Sequence, residues 1–180
     1  MNGKEKDRVM IDHVILVDDL DKEIGVEEKI TAHQNGGKKH RAFSVLIFND
    51  KNELMLQQRA LNKYHCGGLW TNTCCGHPRP GEETEAAACR RLKEEMGFDC
   101  IMEEKFSFNY TVPLDHDLTE NECDHVFVGH YNQKPEINRE EAKSWKWISV
   151  EELKKDLIKN PQNYTFWFKV ILEEFNKQWR

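Results

Sequence analysis

The stretch Thr71–Phe98, T-N-T-C-C-G-H-P-R-P-G-E-E-T-E-A-A-A-C-R-R-L-K-E-E-M-G-F, organises this chain. Its second half predicts a helix. Thr84 reads as the N-cap, with Glu85 in the first turn near the positive end of the helix dipole. Ala86, Ala87 and Ala88 are strong helix formers. Ala88, Leu92 and Met96 recur every four residues and make a narrow apolar stripe. Gly97 suits the left-handed position past the helix end. Arg90 and Glu94, like Arg91 and Glu95, stand four apart, so these charges share a face. The first half carries a thiol and an imidazole two apart, Cys75 and His77. A nucleophile or acid, a metal ligand and a carboxylate-rich helix thus fall within one short segment.

The rest of the chain bounds the problem. A chain of 180 residues with 38% hydrophobic and 32% charged residues reads as one globular domain, 1–180, with residues 1–8 frayed. A net charge of −6 argues against general affinity for nucleic acid. No apolar run approaches the roughly 20 residues of a membrane span. The start, M-N-G-K-E-K-D-R, has no apolar core behind it and does not read as a signal peptide. The six cysteines form no regular two-apart zinc motif, and Cys74 and Cys75 are adjacent and poorly placed to pair. Reduced thiols in a cytoplasmic monomer are the expectation.

Outward from the central stretch, Val14–Val17 predicts a short strand followed by an acidic turn at Asp18–Asp21. His33 and His40 flank a Gly36-Gly37 loop. Ala42–Phe48 predicts a buried strand, Asn49–Asn52 a turn and Glu53–Gln58 a second strand, together a hairpin. Arg59 and Lys63 follow. Beyond the helix, Phe106, Phe108, Tyr110 and Val112 alternate on one face of a strand, and the polar tip of Tyr110 suits the border of a cavity. In T-E-N-E-C-D-H-V-F-V, strand geometry points Glu120 and Glu122 the same way. Two such carboxylates repel unless a cation lies between them or one holds a proton. Trp145 and Trp147 flank Lys146 on a further strand. Ser149–Glu152 is a capping box opening a helix that stops near Asn160-Pro161. The last helix spans about 165–179, with Phe168, Leu172, Phe175 and Trp179 on its core face and Trp167 off that stripe, free to face a pocket.

The span 76–98 resembles the Nudix box: Gly76, five residues, Glu82, seven residues, then R-R-L-K-E-E-M-G-F. Arg91 departs from it, standing where that family carries a glutamate of its magnesium-binding, water-activating set. The departure weakens a reading as pyrophosphate hydrolase and leaves Glu94 or Glu95 to hold one Mg²⁺. Beside such an ion, Arg59 and Lys63 become diphosphate clamps.

Nearly the whole chain resembles a specialised branch of that superfamily, the type 1 isopentenyl-diphosphate isomerases. The carriers are His33 and His40 seven apart before A-F-S, R-A-L-N-K at 59–63, T-N-T-C-C-G-H-P, the R-R-L-K-E-E-M-G helix, Tyr110, E-N-E at 120–122 and Trp167. The resemblance implies a Nudix fold, an α/β mixed sheet between helices with terminal additions. It implies a Zn²⁺ or Mn²⁺ enclosed by His33, His40, His77, Glu120 and Glu122. It implies Mg²⁺ held by Glu95 and the main-chain oxygen of Cys75 and bridging the diphosphate of a small isoprenoid substrate. Lys29, Arg59, Lys63 and Arg91 would neutralise phosphate oxygens, which accounts for Arg91. Cys75 and Glu122 would exchange protons with the substrate, Tyr110 would relay or orient one, and the face of Trp167 would stabilise a carbocation. Two other readings use the same residues: a Nudix hydrolase of nucleoside diphosphate derivatives, and a metal-binding protein without turnover.

Overall fold

The computed structural model describes residues 13–63, 65–114 and 117–178. The frayed stretch expected at 1–8 and the stripe residue Trp179 lie outside them. Among the described residues, nine strands form one mixed sheet between helices.

Strands β1 (His13–Val17) and β2 (Glu23–Glu28) pair antiparallel around the acidic turn. There Asp18 Oδ1 accepts the N–H groups of Leu20 and Lys22 at 2.9 and 3.0 Å. Helix α1 (Lys29–His33) follows at once, capped by Glu28, whose carboxylate accepts the N–H groups of Ile30 and Thr31.

The expected hairpin of β3 (His40–Phe48) and β4 (Glu53–Arg59) holds only at its root. The two strands pair at Phe48–Leu54 and then part, because each takes other partners. β3 pairs in parallel with β8 (Thr119–His130) over its whole length and antiparallel with β6 (Cys74–Gly76). β4 pairs with β5 (Trp70–Thr71) and β9 (Ala142–Ser149). Thr73, between β5 and β6, ties the separated strands together. Its N–H donates to the Val45 carbonyl at 3.1 Å and its hydroxyl to the Met55 carbonyl at 2.7 Å. β7 (Met102–Pro113) extends the sheet beside β8.

Helix α2 is Thr84–Met96. Thr84 is not its N-cap. The extended residue is Glu83, whose side chain makes no capping bond, and Thr84 is already helical. Glu82 secures the entry instead: it accepts the Arg79 N–H at 2.9 Å and grips the Arg90 guanidinium at 2.7 and 2.8 Å. The seven-residue gap of the box places those two side chains on each other. Gly97 takes φ +77°, and a Cβ there would lie 2.3 Å from the Glu136 carbonyl, so both backbone and space demand glycine.

Alternation along the strands divides the core in two. Phe43, Val45 and Ile47 meet Ala88, Leu92 and Met96 of α2 on one face. Leu46, Leu56 and Val126 meet α3 (Val150–Lys159) and α4 (Phe166–Gln178) on the other. The Ser149–Glu152 capping box is present. The core face of α4 differs from the expected stripe. Trp167, Phe168 and Ile171 are buried, while Leu172 and Phe175 are only partly so. The cause is anchorage at the N-terminal end, where Thr165 donates its N–H to the Trp70 carbonyl and its hydroxyl to Thr71 Oγ1, each at 2.9 Å.

Candidate active site

Residues directly opposite in paired strands point to one face. His40 lies opposite Glu122, Ser44 opposite Cys75, and Glu122 opposite Tyr110. Glu120 and Asp124 share the face of Glu122 by strand period. One sheet face therefore collects thiol, imidazole, phenol and carboxylates. The glycine loop adds His33. Gly37, at φ +72°, would bring a Cβ within 2.8 Å of the Thr119 carbonyl, and its own carbonyl accepts Asn121 Nδ2 at 3.0 Å. The loop thus lies against the start of β8.

Donor atoms of His33, His40, His77, Glu120 and Glu122 all lie within 4.8 Å of one another. His33 Nδ1 donates to the Lys29 carbonyl at 2.7 Å and His40 Nδ1 to the Lys38 carbonyl at 2.8 Å. Each Nε2, bare of a proton in the neutral ring, then faces inward. His33 Nε2 is 3.0 Å from Glu120 Oε2, and His40 Nε2 is 3.2 Å from His77 Nε2. Acceptors facing acceptors call for protons or a cation. Burial is the largest influence on both His33 and His77 and favours the neutral ring. For His77 it prevails, with Lys29 and the other two histidines, and holds the ring well below its usual range. For His33 the hydrogen bond and charge of Glu120 outweigh it and raise the ring. The set therefore fits a divalent cation of borderline softness, and the Nδ1–carbonyl bonds are those that fix metal-binding imidazoles.

Beside the cluster lies a cavity of about 320 Å³ lined by Cys75, Tyr110, Glu120, Glu122 and Trp167. Tyr110 donates to Glu122 Oε2 at 2.5 Å and His77 Nε2 is 2.9 Å from Oε1, so both carboxylate oxygens are engaged. Burial, then Glu95, Glu122 and Asp124 against the opposing charge of Arg59, push the Cys75 thiol up to about 12. It is a proton holder near neutrality.

All five expected substrate residues, Lys29, Arg59, Lys63, Arg91 and Trp167, line this cavity. Arg59 stacks over the Trp167 ring at 5.2 Å, and its Nε is buried with no hydrogen-bond partner among the described residues. Arg91 is engaged by Glu94 at 2.8 Å and by Glu95 at 2.5 Å. Trp167 belongs to the core and the cavity wall at once. Glu95 is buried, and its Oε2 accepts Gln57 Nε2 at 2.8 Å.

Sequence reasoning missed four residues here. Gln57 fixes Glu95. His65, held down to about 4 by burial and Arg59, packs edge-on to Trp167 at 5.6 Å. Glu141 pairs with Lys63 and Arg91. Asp124 accepts Ser44 Oγ at 2.9 Å, and burial and Glu122 raise its carboxyl well above the usual range. Only Asp124 had a signal, as the third acid in the alternation Glu120, Glu122, Asp124.

Residues 38–168 match the NUDIX domain, so the chain is a member of the Nudix family. Two solved structures are similar in fold. The DR0079 protein of Deinococcus radiodurans aligns with TM-score 0.69 at 17% identity, covering 82% of this chain and 90% of that one. The MutT protein of Methanosarcina mazei aligns with TM-score 0.62 at 21% identity, covering 77% and 94%. Closer in sequence is isopentenyl-diphosphate Delta-isomerase 2 of Aromatoleum aromaticum, 49% identical over 91% of this chain and 86% of its own. The isopentenyl-diphosphate Delta-isomerase of Serratia proteamaculans is 48% identical over 92% of each. Within the Nudix fold, the chain belongs to the isopentenyl-diphosphate Delta-isomerase family.

Proposed function

We propose that this chain interconverts isopentenyl and dimethylallyl diphosphate, with Cys75 and Glu122 as the proton-exchanging pair. The observation that carries the reading is that this thiol and this carboxylate share one cavity with the cations Lys29, Arg59, Lys63 and Arg91. The reaction adds a proton to the terminal alkene carbon, leaving a tertiary carbocation. A proton then leaves the neighbouring carbon and its C–H electron pair becomes the new double bond. Bulk water would capture the cation, so acid and base must work in a closed site. Cys75 holds its proton until an alkene takes it. Burial would raise the Glu122 carboxyl, but His40, with Tyr110, holds it below its ordinary value, and Tyr110 orients it, which suits a base. Trp167 presents a π-face to a cation. Reversal of direction exchanges the roles of Cys75 and Glu122.

Lys29, Arg59, Lys63 and Arg91 bind the diphosphate in this reading. Arg91 in place of the box glutamate favours isomerisation over hydrolysis of nucleoside diphosphate derivatives. When bound, a Zn²⁺ or Mn²⁺ among His33, His40, His77, Glu120 and Glu122 would supply charge that tunes the carboxylates, and a Mg²⁺ at Glu95 and the Cys75 carbonyl would neutralise diphosphate oxygens. The reading includes one 180-residue unit acting as a cytoplasmic monomer, and six free cysteines suit a reducing compartment.

Incubation of the metal-loaded protein with isopentenyl diphosphate in D₂O, followed by NMR, tests it. Deuterium enters with the parent, and Cys75→Ala and Glu122→Gln each slow entry by at least about 10³-fold. Full exchange in either variant removes that residue from its role.

A further inference from the structure

The cations of the cavity are not equally available to a ligand. Glu141 stands between two of them. Its Oε2 accepts from Lys63 Nζ and lies 3.3 Å from Arg91 Nη2. The carboxylate is 20% exposed and lines the cavity wall. Its main chain is held independently of those charges: the Glu141 carbonyl accepts the Ala60 N–H at 2.9 Å, and its N–H donates to the Asn138 carbonyl at 3.0 Å. The backbone therefore delivers an acid between two of the cavity's cations, Lys63 and Arg91.

Arg91 makes the consequence concrete. Its Nη1 is taken by Glu94, and its Nη2 is shared by Glu95 and Glu141. Both terminal nitrogens face carboxylates, so a phosphate oxygen approaching them competes with negative charge already in place. Glu95 is also held by Gln57, and Glu94 does not line the cavity. Glu141 alone of the three bridges to Lys63. Burial by itself would raise the Glu141 carboxyl, yet Lys63 and Arg91 keep it below its ordinary value, so it remains an anion.

We propose that Glu141 is a placeholder anion, neutralising Lys63 and Arg91 until an incoming diphosphate displaces it from both. The proposal rests on the reading of Lys63 and Arg91 as phosphate-binding groups. It makes Glu141 a specificity residue. An entering anion must outcompete a carboxylate already in place, which a diphosphate does more readily than a single phosphate carrying less charge.

Calorimetric titration with inorganic diphosphate, and separately with inorganic phosphate, in buffer without added Mg²⁺ tests this on the intact chain. Glu141→Gln keeps the shape and removes the charge. It binds inorganic diphosphate about tenfold more tightly than the parent and narrows the preference for diphosphate over phosphate. Glu140→Gln makes the same charge change at an exposed neighbour and stays within about twofold of the parent, because solvent screens it. Unchanged or weaker binding by Glu141→Gln overturns the placeholder. So does equal tightening in Glu140→Gln, which would mark a general charge effect. Lys63→Met separates the two readings. A parent that binds diphosphate no better than Lys63→Met removes the phosphate-site assignment, and with it the placeholder. A parent that binds well while Glu141→Gln does not tighten removes the placeholder alone.

Discussion

Strand β3 carries two chemistries on its two sides. Phe43, Val45 and Ile47 point toward α2 and are no more than 1% exposed. His40 and Ser44 point the other way and are equally buried, at 0% and 2%. Depth therefore does not separate core from site. What separates them is what burial demands. Apolar side chains gain from leaving water, whereas a buried polar group left unpaired costs about 1–3 kcal/mol. Around Phe43, Val45 and Ile47 the α2 side meets its demand with hydrocarbon, from Ala88, Leu92 and Met96. The other side meets it with Asp124 for Ser44, the Lys38 carbonyl for His40, and a convergence of nitrogens and carboxylates suited to a cation.

The division is open to test. Truncation on the α2 side should cost stability and spare chemistry. Leu92→Ala should lower unfolding stability by about 3 kcal/mol in urea titrations, with turnover per folded molecule within about twofold of the parent. A large loss of turnover without loss of stability would dissolve the distinction. On the opposite face the signs reverse. Tyr110→Phe removes the hydroxyl that orients Glu122 and should lower kcat about 30-fold, roughly 2 kcal/mol in the barrier, with little change in melting temperature.

The smallest effect lies outside both faces, at the clamp of Glu82 on Arg90. Burial would raise the Glu82 carboxyl, but Arg90 and the Arg79 N–H together hold it below its ordinary value of 4.5. A depressed carboxyl adds stability above pH 4.5 that is lost as pH falls through the depressed value. Glu82→Gln should therefore cost about 0.5 kcal/mol at pH 7, with the gap closing on acidification below the ordinary carboxylate range. A pH-independent gap would show that the clamp works by shape rather than charge.

Much of this division was legible in the sequence because alternation reports it locally. Glu120 and Glu122 declare a shared face, the stripe Ala88, Leu92 and Met96 declares the covered one, and Gly97 marks where α2 must end. Contacts made by topology were not legible. Nothing near residues 42–58 reveals that β3 leaves β4 to pair in parallel with β8. Gln57 reads as an ordinary strand position until α2 brings Glu95 onto it. Glu141 gives no local sign that it will reach Lys63 and Arg91. The N-cap falls one residue before the expected Thr84, at Glu83, next to Glu82, which is fixed by the Arg79 N–H and Arg90. The stripe of α4 shifted because Thr165 anchors one end of that helix.

The parting of β3 from β4 has a consequence for redesign. Thr73 spans the gap between the two strands by bonding the Val45 and Met55 carbonyls, so their spacing is a property of backbone geometry. Respacing β3 and β4 would come at the expense of those two hydrogen bonds. The cavity wall also takes in loop residues such as Lys63, His65 and Arg79, which can be changed without disturbing that strand spacing.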